Sequence, residues 1–133
     1  MKIKRNSLLI AVIAVTFASC VKDEIVIDPD NPLIGNWTYS SYDDNALIFE
    51  RSNGFINDHC YMFKPDGSMT ERKNAGWCGT PPISYEDFPG TWSVINDTLI
   101  EVSVGYWGGT DNYTLDIDFV DLNLLEVQYL RQD

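Results

Sequence analysis

Residues that commonly carry out chemistry are sparse in this chain of 133 residues, which has one histidine and three cysteines. An imidazole is the usual general acid or base near neutral pH, so His59 is the first candidate. Its neighbours include no Gly-x-Ser-x-Gly turn and no evident nucleophile, which favours a histidine at the surface or at a strand end. We therefore predict no catalytic residue and expect that the protein is not an enzyme.

The first 19 residues have the composition of an export segment. Lys2, Lys4 and Arg5 precede an apolar run over residues 8–19 that is about a dozen residues long. A transmembrane helix needs about 20 apolar residues. A shorter run behind positive charges therefore predicts a signal segment that is removed, not a membrane anchor.

The residues that close this segment indicate a lipid anchor. Phe17-Ala18-Ser19-Cys20 resembles the cleavage site of a bacterial lipoprotein, in which the cysteine becomes the first mature residue and carries acyl chains. The resemblance implies lipidation at Cys20, where each chain contributes roughly 0.8 kcal/mol per buried methylene to membrane attachment. Phe17 departs from the leucine that is usual at its position, and an ordinary secretory signal is the alternative.

The residues behind Cys20 predict a tether. Residues 21–25 (VKDEI) are similar to the export signal of some Bacteroidetes lipoproteins, which implies an outer membrane lipoprotein displayed at the cell surface. The alternative is a solvated linker with ordinary charges. Pro29 and Pro32, set among Asp and Asn, oppose helix formation. We expect a signal peptide over 1–19, a lipidated cysteine and tether over 20–32, and one folded domain over 33–133.

The charge of the exported part narrows its partners. After residue 19 the chain has all 20 acidic residues but only six basic ones, a net charge of −14. This charge repels phosphate backbones, so nucleic acid is not an expected partner, and membrane attachment would depend on the lipid. Asp116 and Asp118 alternate with apolar residues, which indicates solvated side chains and not a catalytic pair.

Cys60 and Cys78 remain once Cys20 carries lipid. An even pair of cysteines in an exported protein predicts a disulfide, which would stabilise the fold by roughly 3 kcal/mol. Two buried free thiols are the alternative. A zinc site that includes His59 is disfavoured, because His59 and Cys60 would point to opposite faces of a strand and zinc takes three or four ligands. We predict no metal and no cofactor.

The rest of the chain has the pattern of β-strands. Apolar and polar residues alternate with a period of two, and sequences such as Pro65-Asp66-Gly67 and Asn96-Asp97 mark turns. About eight antiparallel strands predict a closed barrel or a sandwich, and we expect the all-β barrel because closure removes exposed edges. The residues expected to face inward are Trp37, Tyr39, Ser41, Leu47, Phe49, Tyr61, Phe63, Trp92, Val94, Ile100, Val102, Val104, Tyr113, Leu115, Ile117, Phe119, Leu125, Val127 and Tyr129.

Three motifs resemble a known family. Gly35-Asn36-Trp37 matches the Gly-x-Trp that opens lipocalin barrels, and residues 63–68 (FKPDGS) and 92–99 (WSVINDTL) are similar to two hairpins of lipocalin-like domains in Bacteroidetes lipoproteins. The resemblance covers residues 33–130 and implies an eight-stranded up-and-down barrel. It also implies that Gly35 and Trp37 form a plug at one end, where Arg131 near the last strand would pack on Trp37.

Two aromatic segments are the expected ligand contacts. The connection over residues 74–90 is long and contains three prolines, and residues 105–109 form a second loop rich in aromatic residues and glycine. The predicted ligand-binding residues are Trp77, Tyr85, Phe88, Tyr106 and Trp107. The alternative is that both segments only cover the core.

Two functions follow from these patterns. We expect a lipid-anchored binding module for a small apolar or glycan ligand. The alternative is a structural or interaction subunit of a cell-envelope complex, in which the protein's own side chains fill the barrel and the loops contact another envelope protein.

Overall fold

A computed structural model describes the backbone over residues 26–76 and 83–131, with side chains as far as Leu130. Eight β-strands follow one another: β1 (Gly35–Asp43), β2 (Ala46–Ser52), β3 (Cys60–Phe63), β4 (Ser68–Asn74), β5 (Tyr85–Val94), β6 (Leu99–Tyr106), β7 (Gly109–Val120) and β8 (Leu124–Arg131). The described ranges contain no helix, and therefore none of a length and hydrophobicity suited to crossing a bilayer. The all-β prediction is confirmed.

The eight strands close into an antiparallel barrel in the order β1-β2-β8-β7-β6-β5-β4-β3, with β3 pairing back onto β1. From β3 to β8 each strand pairs with its neighbours in the chain, as the predicted up-and-down arrangement requires. At the start of the chain, however, β1 lies between β2 and β3, so the connection over residues 53–59 has to cross β1. We call this connection the crossover. It runs over the outer surface, because the Ile56 carbonyl accepts hydrogen bonds from Cys60 and Arg72. These two side chains point outward, since the residues beside them in β3 and β4, Tyr61 and Glu71, face inward.

Short turns with suitable residues join the hairpins. Asp44 and Asn45 connect β1 and β2 with φ values of 46° and 73°, the left-handed conformation that a two-residue hairpin turn requires. Gly67 has a φ of 88° in the β3–β4 turn, where Asp66 Oδ1 accepts hydrogen bonds from the backbone and hydroxyl of Ser68. The predicted turn at residues 65–67 is therefore confirmed.

The interior is filled by side chains that alternate along the strands. The predicted inward residues that are buried are Trp37, Phe49, Tyr61, Phe63, Trp92, Ile100, Val102, Val104, Tyr113, Leu115, Ile117, Leu125 and Val127. Leu33 and Met69 join them, while Tyr39, Leu47 and Val94 pack against this core as partly buried residues. The centroids of the Phe49, Tyr61 and Phe63 rings follow one another at 5.3 and 5.4 Å, so aromatic contacts run along the barrel interior.

Three predicted inward residues are exposed instead. Phe119 is 45% exposed because β7 has a bulge between Ile117 and Phe119, and one extra residue turns every later side chain to the other face. A second bulge between Tyr39 and Ser41 turns Ser41 outward for the same reason. Tyr129, at 38% exposed, lies near the end of β8, where fewer neighbours cover it.

The predicted connection over residues 74–90 is shorter than expected. Asn74 pairs with Tyr85, so β5 begins there and includes Tyr85, Phe88 and Pro89. Among the described residues β5 pairs with β6 only from Gly90 onward. Pro89 is therefore tolerated within the strand, because no described strand on that side requires the missing N–H.

Gly90 allows β5 and β6 to approach closely. A Cβ at this position would lie 2.4 Å from the Ser103 carbonyl oxygen and 2.8 Å from the Val104 Cα. Because both are backbone atoms, we expect Gly90→Ala to lower the free energy of unfolding by about 1–3 kcal/mol in urea denaturation. Gly54→Ala is the control, since a Cβ there meets no atom within 4 Å, and should change stability by less than about 0.5 kcal/mol. Equal effects of the two substitutions would contradict this account of Gly90.

The segment before β1 covers one end of the barrel. Leu33 is fully buried, and Asn31, at 7% exposed, accepts a hydrogen bond from the Leu33 backbone N–H at 2.8 Å. The carbonyl of Pro32 accepts a hydrogen bond from Arg51. Pro32 and Leu33 therefore contact the barrel, and the signal segment and Cys20 lie outside the described residues.

Candidate functional site

Trp37 closes the end of the barrel that the N-terminal segment covers. It is fully buried, and its indole Nε1 donates a hydrogen bond to the Leu33 carbonyl at 2.9 Å. The guanidinium of Arg51 lies 4.3 Å from the centre of its ring and donates through Nη1 to the Ile34 carbonyl at 2.7 Å. This geometry is consistent with the predicted plug role of Trp37.

The arginine on Trp37 is Arg51, not Arg131 as the resemblance implied. Arg131 pairs with Tyr113 and lies seven residues after Leu124 in β8. Leu124 pairs with Glu50, the residue before Arg51 in β2. At about 3.4 Å per residue, this places Arg131 near the opposite end of the barrel. Gly35, with a φ of 128°, makes room for Arg51, because a Cβ there would lie 2.4 Å from Arg51 Nη1.

A buried carboxylate lies inside the barrel, toward the end opposite Trp37. Glu71 of β4 is 5% exposed and follows Met69 on the inward face. Its Oε2 lies 2.7 Å from His59 Nε2, and its Oε1 accepts hydrogen bonds from the Tyr113 hydroxyl at 2.8 Å and from Lys73 Nζ at 3.2 Å. We call Glu71, His59, Lys73, Tyr61 and Tyr113 the mouth cluster.

Two tyrosines extend the mouth cluster into the core. The hydroxyl oxygens of Tyr61 and Tyr113 lie 2.7 Å apart, and the Tyr113 ring packs on Tyr129 with centroids 4.5 Å apart. Burial raises the pKa of both phenols well above the usual range, and the charge on Glu71 raises it further. Both tyrosines are therefore neutral at physiological pH, which leaves a hydroxyl proton on Tyr113 for the bond to Glu71.

Glu71 is held as a carboxylate. Burial alone would raise its pKa, but the hydrogen bond and charge of His59, together with the charge of Lys73, outweigh burial and lower the pKa of Glu71 below its ordinary value. The side chains of His59 and Lys73 are 27% and 19% exposed, so both contact solvent as well as Glu71. A solute at this end of the barrel can thus reach hydrogen-bond donors that a buried charge holds in place.

The predicted ligand contacts are distributed unevenly around this site. Phe88 pairs with Glu71 across β4 and β5, and Lys73 Nζ lies 5.4 Å from the centre of its ring. Tyr106 and Trp107 lie at the β6–β7 turn with ring centroids 5.6 Å apart and are 37% and 57% exposed. Tyr85 lies three residues before Phe88 in β5, and the alternation places it on the outer face. Trp77 is outside the described residues.

Cys60 is buried and has no disulfide partner among the described residues, and its Sγ lies 3.4 Å from the Asp58 carbonyl oxygen. Cys78 lies outside the described residues, so the disulfide stays a prediction. Cys60 and His59 do point to opposite faces as predicted, since His59 contacts Phe49 and Glu71 inside the barrel while Cys60 lies beneath the crossover.

The sequence analysis did not identify Glu71 and Lys73 as site residues. Both belong to the run Met69-Thr70-Glu71-Arg72-Lys73, in which the alternation that points Met69 inward does the same for Glu71 and Lys73. That alternation was a usable signal. The partners of Glu71 lie far from it in the sequence: His59 is 12 residues earlier and Tyr113 is 42 residues later. No local pattern connects them with Glu71.

No group of three or more His, Cys, Asp or Glu side chains suited to a metal ion occurs within residues 26–76 and 83–130. Comparisons with protein family models, with curated proteins and with solved structures find no match to this chain.

Proposed function

We propose that this protein is a lipid-anchored, surface-displayed binding module of the lipocalin-like type, which holds a small ligand at the mouth cluster. The observation that carries the proposal is the inward Glu71 carboxylate with its two partly exposed hydrogen-bond partners, His59 and Lys73. A buried ion pair is often no more stabilising than apolar residues of the same volume. Its presence in an otherwise apolar interior therefore favours a role in binding.

The chemistry of the mouth cluster narrows the ligand class. Phe88, Tyr106 and Trp107 offer aromatic surface at this end of the barrel, while His59 and Lys73 offer polar hydrogens. A wholly apolar ligand would cover these polar groups without replacing their contacts with water, which costs free energy. We therefore favour a ligand that combines an apolar face with hydroxyl groups, such as a glycan fragment.

The alternative function is an interaction subunit of a cell-envelope complex. The filled interior favours it, because Phe63 and Trp92 continue the chain of ring contacts with centroids 5.6 Å apart. A ligand would consequently bind at the rim of the barrel and not deep within it. The exposed Trp107 would then serve equally well as a contact with a protein partner.

Native mass spectrometry of the full chain, extracted from membranes in mild detergent, tests the proposal. We expect a mass that lacks residues 1–19, carries acyl chains at Cys20 and includes a noncovalent small molecule. Phe88→Ala should lose the small molecule, whereas Phe119→Ala, which removes an exposed ring on the outer face, should retain it. A protein that carries no small molecule but captures one envelope protein would support the alternative instead.

A further inference from the structure

A groove of about 520 Å³ lies on the outer face of the barrel, and the β-sheet separates it from the mouth cluster. Its volume is within the range of small-molecule sites. Phe55 of the crossover forms one wall, and Met62 of β3 and Pro89 of β5 provide apolar surface. Its charged lining residues, Arg72 and Asp87, form an ion pair with each other.

The wall formed by the crossover is held in place by Arg72 of β4. Arg72 Nη1 donates a hydrogen bond to the Ile56 carbonyl at 3.0 Å, and the guanidinium carbon lies 5.1 Å from the centre of the Phe55 ring. Arg72 is itself fixed by Asp87 of β5, which accepts from Nε at 2.7 Å and from Nη2 at 3.1 Å. The groove is therefore preorganised, which lowers the entropic cost of binding.

The polar groups of the groove indicate which ligands fit. All three guanidinium nitrogens of Arg72 already have acceptors, so the groove offers no free cation to an anion. The amide of Asn36 and the hydroxyl of Thr70 line the same groove, and neither side chain has a hydrogen-bond partner among the described residues. A ligand that fills the groove must satisfy both groups, since leaving them unpaired costs free energy.

We propose that this groove is a second binding site, for a neutral sugar ring. The C–H face of such a ring packs on Phe55 and Met62, and its hydroxyl groups exchange hydrogen bonds with Asn36, Thr70 and the half-exposed Asp87 carboxylate. An aliphatic ring of the same size leaves the amide and hydroxyl unpaired, and a uronic acid brings a second carboxylate close to Asp87. This site is independent of the ligand proposed for the mouth cluster.

The two methionines downstream of the signal segment make the test selective. Met62 lines the groove, whereas Met69 is 2% exposed in the barrel core. Residues 21–133 include all eight strands and the segment that covers Trp37, so this fragment retains the complete barrel. With methionine methyl groups labelled with carbon-13, NMR titration with the methyl glycosides of glucose, galactose and mannose reports on both positions, and Met62→Leu identifies the groove signal.

We expect at least one neutral glycoside to shift the Met62 methyl signal while the Met69 signal stays in place. Thr70→Val should weaken this binding about two- to tenfold, the effect of one hydrogen bond. Thr110→Val, which alters an exposed threonine of β7, should leave the affinity unchanged. No Met62 shift at the solubility limit of all three glycosides would overturn the proposal. An equal response to glucuronate or cyclohexanol, or an unchanged affinity in Thr70→Val, would overturn it as well.

Discussion

Trp37→Ala is expected to lower the free energy of unfolding by about 3–5 kcal/mol, the range for removing a fully buried tryptophan. Trp37 has no solvent exposure, and its indole hydrogen bond to the Leu33 carbonyl fixes the N-terminal segment against the barrel. The substitution also removes the ring on which the Arg51 guanidinium lies. The loss is a large fraction of the 5–15 kcal/mol that stabilises a typical domain.

The measurement is urea denaturation followed by circular dichroism, because tryptophan fluorescence itself changes with the substitution. Trp107→Ala is the matched control, since Trp107 is 57% exposed and its removal should change stability by less than about 0.5 kcal/mol. Trp37→Phe, which keeps most of the apolar volume, should lie between the two. If Trp37→Ala and Trp107→Ala destabilise equally, Trp37 does not have the structural role inferred for it.

Glu71→Ala should have an effect of similar size, about 3–5 kcal/mol, which is typical when one partner of a buried ion pair is removed. The substitution leaves the Tyr113 hydroxyl, His59 and Lys73 without the carboxylate that they share. Glu71→Gln should cost less, because its amide oxygen still accepts a hydrogen bond. Glu101→Ala, at an exposed position of β6, serves as the control and should be close to neutral.

Acid sensitivity should depend on the same residue. The pKa of Glu71 in the folded protein lies below its ordinary value of 4.5, because His59 and Lys73 outweigh the opposing effect of burial. Its contribution to stability is therefore fully present above the ordinary pKa and is lost as the pH falls through the lowered pKa of the folded state. Denaturation at several pH values should show this loss below about pH 4.5.

Glu71→Gln removes the group that titrates, so its stability should fall less steeply with acid than that of the unaltered protein. Glu101→Gln removes an exposed carboxylate and should keep the original slope. An unchanged slope in Glu71→Gln would show that other carboxylates account for the acid sensitivity.

Local alternation was sufficient to predict most of the strands and their inward faces. Ile100, Val102 and Val104 of β6 illustrate this, since a period of two separates them from polar neighbours and all three are buried. The turn at Gly67 was equally predictable, because its conformation depends on the glycine at this position and not on distant contacts.

Two kinds of prediction failed where the backbone departs from regular pairing: inward-facing residues at bulges and the length of one connection. Phe119 continues the alternation of β7 in the sequence, yet the bulge after Ile117 turns it outward. The connection over residues 74–90 contains prolines and was interpreted as a loop, but Pro89 lies within β5, at a position where no described strand pairs with it on one side. In both cases the pairing of neighbouring strands, which a single segment does not encode, determined the outcome.

The sequence by itself determined that this protein is built of antiparallel strands with one apolar face, because alternation and turn residues act over a few positions. Only the tertiary structure decided that β2 pairs with β8 and β1 with β3, so that the crossover forms a groove on the outer face. It also decided that Glu71 meets His59 and Tyr113 inside the barrel. A charge can remain in an apolar interior only when its partners surround it, and here those partners come from strands far apart in the chain.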